Sequence, residues 1–367
     1  MQEPEDLMGD AVERLEWDER KEDDSPLKRW RQMTRRTALG GGAAGIAAMI
    51  LEACGGSSSS SSSAASGSSA ASIFGASGSY KFTFVNHVTT NPFFAPTQSG
   101  ASDACKLLGC SYQWTGSQTS NVSEMVNAVN TAVSAGVTGI AVALVDQTAF
   151  NAPVQKALSA GIPVVSYNAD APNNARLAYI GQDLFKSGQL LGARIAELVP
   201  SGDLALFIAT PGALNLEPRI NGVQSVLKSH PSITTHVIAT GAAVPQELST
   251  IQAYAKGHTS TKGMFAVDAG STQSVAQTIQ QQGLKGKVKG GGYDLLGPTA
   301  TLLNSGYIQV TIDQQPYLQG FLPILQLYMY KASNKVSGVA DTNTGVKLVD
   351  STTIAQYVAP SAAKYTK

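Results

Sequence analysis

The feature that most constrains the fold is a regular alternation of short apolar runs with amphipathic helical patterns from residue 80 onward. Short apolar runs of this kind are typical of strands buried on both faces of a parallel sheet, and the intervening helices indicate βαβ units. Nine strands exceed what one compact sheet of this size needs. The sequence therefore predicts an α/β fold with two doubly wound parallel-sheet lobes. The predicted strands lie at residues 82–85, 112–114, 139–145, 163–167, 204–209, 235–238, 264–267, 290–293 and 310–312.

The chain is expected to cross between the two lobes more than once. One crossing is predicted near residues 180–182, after four strands, and another near residues 313–315, where a strand runs into a helix. Several crossings form a hinge around a cleft. The predicted N-terminal lobe is 79–181 plus 315–344, and the predicted C-terminal lobe is 182–314 plus 345–367.

Residues 1–53 have the pattern of an export signal. Arg35 and Arg36 resemble the pair of a twin-arginine signal, and a weakly apolar run at residues 40–51 is too short to span a bilayer stably. Residues 51–54 then resemble a lipoprotein cleavage motif that ends at Cys54. We expect Cys54 to become the lipidated N-terminus of a protein held on the outer face of the cytoplasmic membrane. The open alternative is an unmodified Cys54 beside an uncleaved anchor.

Residues 54–78 are predicted to be a flexible tether, because a tract of Ser, Gly and Ala cannot bury a core. The charge balance of 26 Lys and Arg against 26 Asp and Glu gives no indication of nucleic-acid binding. The four histidines are isolated from one another and from the cysteines, so no metal site is predicted. Cys105 and Cys110 flank a helix end, where they form a disulfide in an exported protein or remain two buried thiols.

Polar or aromatic residues follow nearly every predicted strand, and ligands of open α/β sheets bind beyond the carboxyl ends of the strands. Aromatic rings pack on the C–H faces of a sugar, whereas carboxylates, amides and guanidinium groups bond its hydroxyls. Any single Asp or Asn here is equally expected as a helix cap, but the whole set favours a carbohydrate pocket. The candidate ligand-binding residues are His87, Asn91, Phe93, Phe94, Asn168, Asp170, Arg219, Asp268, Tyr293, Asp294 and Gln314.

Five motifs together resemble landmarks of the ribose-type periplasmic sugar-binding proteins. The resemblance extends from about residue 80 to the C-terminus and implies the periplasmic binding protein type 1 fold. It also implies a solute-binding protein, with no catalytic residues and no cofactor, that closes on a sugar and delivers it to an ABC permease. We expect a monomer. The motifs are Asn91-Pro92-Phe93-Phe94, Gly161-Ile162-Pro163-Val164-Val165, Arg219-Ile220-Asn221-Gly222, Gly292-Tyr293-Asp294 and Ile312-Asp313-Gln314-Gln315-Pro316.

The resemblance also implies a role for matching residues on each side of the cleft. On the N-terminal side, Phe93 and Phe94 would stack on the sugar and Asn91 would hydrogen-bond it. Gln314 would contact the ligand at the hinge. On the C-terminal side, Arg219, Asp268 and Asp294 would hydrogen-bond the hydroxyls. Tyr293 would cover a face of the ring.

The sequence departs from the ribose pattern at several of these positions. Asn168 and Ala169 replace an Asp-Arg pair, with Asp170 following, Asp268 replaces an Asn, and His87 replaces a small polar residue. These changes remove one Arg and alter the layout of acceptors. The sequence therefore predicts a monosaccharide or polyol, with another pentose, a hexose and a polyol all open.

Two further functions compete with transport. A sensor that presents bound sugar to a membrane receptor would use the same closed lobes, so this alternative stays open. An exported carbohydrate-active enzyme has only Asp268 and Asp294 as a candidate carboxyl pair. The sequence contains no nucleophile elbow, phosphate loop or zinc motif, which disfavours an enzyme.

Overall fold

A computed structural model describes residues 79–366, so the predicted signal, the tether up to residue 78 and Cys54 lie outside the described residues. The described chain contains two six-stranded sheets. The strands of the first sheet are β1 (Lys81–Asn86), β2 (Ser111–Gly116), β3 (Gly139–Val142), β4 (Val164–Tyr167), β5 (Tyr179–Gly181) and β11 (Thr342–Asn343). The strands of the second sheet are β6 (Gly202–Ile208), β7 (Ile233–Ala239), β8 (Gly263–Ala266), β9 (Lys289–Tyr293), β10 (Val310–Asp313) and β12 (Lys347–Val349).

Helices alternate with these strands along the chain. A short 3₁₀ turn, Pro92–Phe94, precedes the first helix. The helices are α1 (Ala95–Leu108), α2 (Val122–Ser134), α3 (Asn151–Ser159), α4 (Leu184–Leu198), α5 (Glu217–Leu227), α6 (Val244–Gly257), α7 (Ala269–Gln281), α8 (Gly297–Asn304), α9 (Pro316–Ala332), α10 (Ala355–Val358) and α11 (Ala363–Thr366).

The two sheets have equivalent strand orders, β2-β1-β3-β4-β5-β11 and β7-β6-β8-β9-β10-β12. Every pairing is parallel except that of β12 with β10. Each of the nine predicted strand runs coincides with a strand, and the short strands β5, β11 and β12 are additional. The predicted fold class, two doubly wound parallel-sheet lobes, is confirmed.

Both faces of the second sheet are covered, as β6 demonstrates. Leu204, Leu206 and Ile208 belong to one buried cluster, whereas the alternating residues Ala205 and Phe207 belong to another. Because successive side chains of a strand point to opposite faces, a strand buried on both faces must be apolar throughout. Burial of each large side chain contributes about 1.5–3 kcal/mol to the driving force for folding.

Three connections cross between the sheets, from β5 to α4, from β10 to α9 and from β11 to β12. Hydrogen bonds tie the three crossings together. The Thr344 amide donates to the Gly181 carbonyl (2.9 Å), and the Thr344 hydroxyl donates to the Gln314 carbonyl (2.9 Å). The Gln182 side chain donates to the Gly345 carbonyl (3.2 Å). The crossings therefore form one hydrogen-bonded hinge.

The end of the chain departs from the predicted boundaries, which assigned the whole tail to the C-terminal lobe. Helix α10 stays on that lobe, where Tyr357 is buried in the core. Helix α11 packs instead against α1 and α9 of the N-terminal lobe. Lys364 forms an ion pair with Asp103, and the Tyr365 ring lies 4.8 Å from that of Tyr317. The terminal helix therefore contacts the opposite lobe from α10.

Cys105 and Cys110 lie together at the end of α1, where Gly109 adopts a left-handed conformation with φ of 68°. The Cys110 amide donates to the Cys105 carbonyl (3.0 Å), and the two Sγ atoms are 3.0 Å apart. Both residues are free cysteines, since a disulfide has an S–S distance of about 2.05 Å. Of the two alternatives left open by the sequence, the structure has the pair of thiols.

Within residues 79–366, no helix is both long enough and apolar enough to cross a membrane.

Helices α4 and α5 pack so closely that glycine is required at their contact. A Cβ atom at Gly188 would overlap the backbone carbonyl of Arg219, and one at Gly222 would overlap that of Phe185. Backbone atoms cannot move aside as a side chain can, so the helices would have to separate. This contact holds the start of α5 in place.

We expect Gly188→Ala to lower the free energy of unfolding by about 1–3 kcal/mol, because it overpacks this contact. The measurement is urea unfolding followed by circular dichroism. The control is Gly257→Ala, also in a helix but with open space around the added methyl, which should be neutral or slightly stabilising. Equal effects of the two variants would contradict this account of the α4–α5 contact.

Candidate functional site

A small, partly open cavity lies between the two lobes, at the carboxyl ends of the strands. Its volume is about 40 Å³, where one water needs about 10–15 Å³ in the same measure, so the lobes lie close together around it. Nine of the eleven predicted ligand-binding residues line it, and Asp170 and Tyr293 do not. The lining residues are His87, Asn91, Phe93, Phe94, Asn168, Asn215, Leu216, Arg219, Asp268, Ala269, Asp294 and Gln314.

The N-terminal wall of the cavity is built from the segment that follows β1. The Phe93 and Phe94 rings meet edge to face at 4.7 Å, and Phe94 also packs against His87 at 5.3 Å. The Asn91 Oδ1 accepts a hydrogen bond from the Phe93 amide (3.0 Å), which caps the 3₁₀ turn. Asn91 is therefore both a cap and a lining residue, and its amide group remains available as a donor.

The C-terminal wall is organised around Arg219, which is buried at the start of α5. Its Nη1 donates to the Val267 carbonyl (2.8 Å), and its Cζ lies 4.1 Å from the centre of the Tyr293 ring. Its Nε has no hydrogen-bond partner in the structure. A guanidinium stacked on an aromatic ring and still holding a free donor suits recognition of an oxygen-rich ligand.

Tyr293 was predicted to cover a face of the sugar ring, but the structure does not place it among the residues that line the cavity. The side chain is fully buried and lies under Arg219. Its hydroxyl forms a hydrogen bond with the Ser187 hydroxyl (2.9 Å). Tyr293 is the last residue of β9, so strand alternation turns it away from the side on which Asp294 follows. Tyr293 therefore supports Arg219 from behind rather than lining the cavity.

Asp170 is the second predicted residue that lies elsewhere. Its Oδ1 accepts from the Ser166 hydroxyl (2.6 Å) and from the Arg176 Nε (2.7 Å), and its Oδ2 accepts from the Arg176 Nη2 (2.5 Å). Arg176 also reaches Asp341 at 3.6 Å. Asp170, held by this bidentate pair, lines a different and wider groove of about 620 Å³, which Phe185 also lines.

Asp268 lines the cavity and also caps α7. Its Oδ1 accepts from the Ser271 amide (2.8 Å) and its Oδ2 accepts from the Ala209 amide (3.0 Å). Burial raises the pKa of Asp268, whereas the two backbone donors and the start of a helix favour its ionised form. Asp268 is therefore a helix cap that also lines the cavity, so the two roles open from the sequence, capping and ligand contact, are compatible.

Asp294 follows β9 in a left-handed conformation, with φ of 70°, and Asn168 follows the equivalent strand β4 with φ of 63°. Asp and Asn adopt this conformation more readily than most residues. The Asp294 Oδ1 accepts from the Gln314 Nε2 (2.9 Å). Burial raises the pKa of Asp294 to about 7, while Arg219 and the bond from Gln314 oppose the rise.

Polar contacts also join the two lobes directly across the cavity. The Asn215 Nδ2 lies 3.2 Å from the His87 Nε2. Burial, and then the charge of Arg219, lower the pKa of His87 to about 4, so the ring is neutral at pH 7. Near the hinge, the Asn168 Nδ2 donates to the Gln314 Oε1 at 3.3 Å. The two contacts connect residues of opposite lobes that line the cavity.

Asn215 is a lining residue that the sequence did not predict. It lies in the loop between β6 and α5, four residues before Arg219, and is buried. The only signal in the sequence is its place between a predicted strand end and a predicted ligand. In the described part of the chain, no group of three or more His, Cys, Asp or Glu residues is arranged to hold a metal ion.

Comparison with known proteins gives a consistent result. The family model for the periplasmic binding protein domain matches residues 82–362. A xylose/arabinose-binding protein from Sulfolobus acidocaldarius is 50% identical over 299 residues, which is 77% of this chain and 74% of that protein. A ribose import binding protein from Bacillus subtilis is 25% identical over 67% of this chain and 81% of its own length.

A solved structure supports the same relationship. The ABC transporter solute-binding protein from Burkholderia graminis, in complex with D-arabinose, superposes with a TM-score of 0.71 at 26% sequence identity. The match covers 78% of this chain and 98% of that protein. The predicted resemblance to periplasmic sugar-binding proteins is confirmed.

We expect Asp294→Asn to change the pH dependence of stability in the protein without ligand. The folded-state pKa of Asp294, about 7, lies above the unfolded value of 3.8, so ionisation disfavours the folded state as the pH rises between these values. Relative to the variant, the wild type should therefore lose stability from about pH 4 to pH 7, by up to about 1.4 kcal/mol per pH unit, and no further above pH 7. Urea unfolding across pH measures this.

The matched control is Asp146→Asn, at the turn after β3. Backbone hydrogen bonds from Ala149 and Thr148 lower the pKa of Asp146, so its ionised form favours the folded state. Here the wild type should gain stability relative to the variant as the pH rises through the acidic range. A stability difference for Asp294→Asn that does not vary with pH would contradict the assigned pKa shift.

Proposed function

This chain belongs to the periplasmic binding protein family, and from that premise we propose that it is the solute-binding component of an ABC importer that closes on a monosaccharide. Proteins of this family bind solutes rather than transform them, and the sequence prediction of a non-enzyme agrees. The protein would work outside the cytoplasmic membrane, where it takes up ligand and presents it to a permease.

The observation that carries the proposal is the combination of groups around one cavity. Phe93 offers an apolar ring from one lobe, whereas Asp294, Asp268 and Arg219 offer charged acceptors and a donor from the other. A sugar has apolar C–H faces and a rim of hydroxyls that both donate and accept, so it matches both walls. Charge-assisted hydrogen bonds to hydroxyls contribute roughly 1.5–3 kcal/mol each.

Within this class we propose a pentose as the ligand. The Sulfolobus acidocaldarius relative, at 50% identity, is a xylose/arabinose-binding protein, and the Burkholderia graminis structure contains D-arabinose. Hexoses and polyols are the competing outcomes of the test.

We expect D-xylose, D-arabinose or L-arabinose to bind the purified protein more tightly than D-glucose, D-ribose or xylitol in calorimetric titrations. Asp294→Ala should weaken binding of the tightest of these sugars by at least about 30-fold, equivalent to about 2 kcal/mol, because it removes a buried acceptor. If none of these compounds binds, the proposed function is refuted.

The matched control for this titration is Asp170→Asn. Asp170 is also a buried carboxylate close to the end of a strand, but it pairs with Arg176 outside the cavity. Its substitution should leave the affinity within about threefold of the wild type. A loss as large as that of Asp294→Ala would contradict the assignment of the cavity.

We further propose that Cys54 carries a lipid anchor and that the anchored protein is a monomer. The support for the anchor is the run from Leu51 to Cys54, followed by a tract of Ser, Gly and Ala that suits a tether.

Cells expressing the wild-type chain should yield a mature protein that begins at Cys54 and has the added mass of lipid. Cys54→Ser should yield a protein without that mass, released from the membrane fraction. Mass spectrometry of the N-terminal peptide and cell fractionation measure both properties. The control is Cys110→Ser, which should keep the lipid, and an unlipidated wild type would refute the anchor.

A further inference from the structure

A second buried carboxyl group lies directly behind Asp268. Glu247 is in the first turn of α6, and its side chain is 1% exposed. Its carboxyl oxygens pack so tightly on the first turn of α7 that a Cβ atom at Gly270 would overlap Oε2. Because Asp268 is the N-cap of α7, the two carboxyl groups lie at the same end of that helix. Glu247 itself does not line the cavity.

The two helices that hold this pair place no positive charge beside it, and Arg219 lies on the cavity side, where it bonds the Val267 carbonyl next to Asp268. Helix α7, which packs along α6, contains no Lys, Arg, His, Asp or Glu. The charged residue on α6 other than Glu247 is Lys256, at the opposite end of that helix. The charged group that acts on Glu247 is Asp268. Two ionised carboxylates in contact would repel strongly, and this repulsion favours one proton shared by the pair.

The hydrogen bonds of the two groups indicate which one carries the proton. Asp268 accepts from the backbone amides of Ser271 and Ala209, and both bonds favour its ionised form. No donor reaches the Glu247 Oε2, which is buried. Burial, and then the neighbouring Asp268 carboxylate, raise the pKa of Glu247 to about 9. The neutral form of Glu247 is therefore the stable one at pH 7.

We propose that Glu247 is a positioning residue that remains protonated and donates a hydrogen bond to Asp268, holding this carboxylate in place as an acceptor for a ligand hydroxyl. The proposal rests on the proposed function, because it assumes that Asp268 contacts the sugar. It extends the site beyond its lining residues to a neutral acid in the layer behind them.

This arrangement makes ligand affinity sensitive to alkaline pH. Below the pKa of Glu247 the pair has one negative charge, and Asp268 is held between its backbone donors and the Glu247 hydroxyl. Above about pH 9 the second carboxyl ionises, and repulsion displaces Asp268 from the cavity wall. Because ligand binding then requires the proton on Glu247, the affinity should fall about tenfold for each further pH unit.

The test compares three variants in calorimetric titrations with D-xylose and with L-arabinose across this pH range. Glu247→Gln keeps a donor but cannot ionise, so its affinity at pH 7 should stay within about threefold of wild type and should lack the fall above about pH 9. Glu247→Leu removes the donor and should weaken binding at least about tenfold at pH 7. Glu124→Gln, at an exposed glutamate in the first turn of α2, should behave as wild type.

Two results would overturn the proposal. One is an alkaline fall in Glu247→Gln as steep as that of the wild type. The other is a loss at pH 7 in Glu247→Gln as large as that in Glu247→Leu, since a purely structural role would not distinguish a donor from an apolar side chain. Circular dichroism verifies that each variant is folded.

A measurement without ligand separates this proposal from the proposed function. In carbon-13 NMR of protein labelled at the glutamate carboxyl carbons, one resonance should titrate near pH 9 and be absent in Glu247→Gln. Titration of that resonance near the ordinary value of 4.5 would refute the shared proton, whether or not a pentose binds. Failure of both pentoses to bind a protein that shows the alkaline titration would refute the function alone.

Discussion

The cavity depends on one buried positive charge, the guanidinium of Arg219. Burying an ion is costly unless its surroundings compensate, and here the compensation comes from the Tyr293 ring, the Val267 carbonyl and the nearby Asp294 carboxylate. The same charge helps to keep His87 neutral. Because Gly188 lets α4 pack directly on the backbone of Arg219, the position of the charge is set by helix packing.

The equivalent strand orders of the two lobes explain how the opposite walls meet. In each lobe the residue after the fourth strand, Asn168 or Asp294, takes a left-handed conformation. Gln314 contacts both of them, accepting from Asn168 and donating to Asp294. A residue at a hinge crossing thus connects the two walls, so closure of the lobes and assembly of the polar groups around the cavity occur together.

The fold and most of the cavity were accessible from the sequence because both depend on local patterns. Apolar runs mark the strands, and the residues just past them converge on one edge. Tyr293 and Asp170 do not line the cavity, for reasons outside those patterns. Tyr293 faces away from the cavity because it is still within β9, and Asp170 is drawn aside by Arg176, which only the folded loop brings close.

Residues that act through tertiary packing left no local signal. Asn215 meets His87 only when the lobes come together, and Glu247 reaches Asp268 only because α6 lies against α7. The C-terminal helix likewise crosses to the N-terminal lobe through the ion pair of Lys364 with Asp103. Contacts between residues far apart in sequence cannot be inferred from periodicity or from the residues that follow the strands.

The most direct measurement is a crystal structure of the protein with D-xylose or L-arabinose. We expect a sugar ring between the lobes, with one face on the Phe93 ring. Its hydroxyl oxygens should lie within about 3.2 Å of polar side-chain atoms of Asp294 and Arg219. A sugar bound in the groove beside Arg176 and Phe185, or one between the lobes that does not contact Asp294 or Arg219, would contradict it.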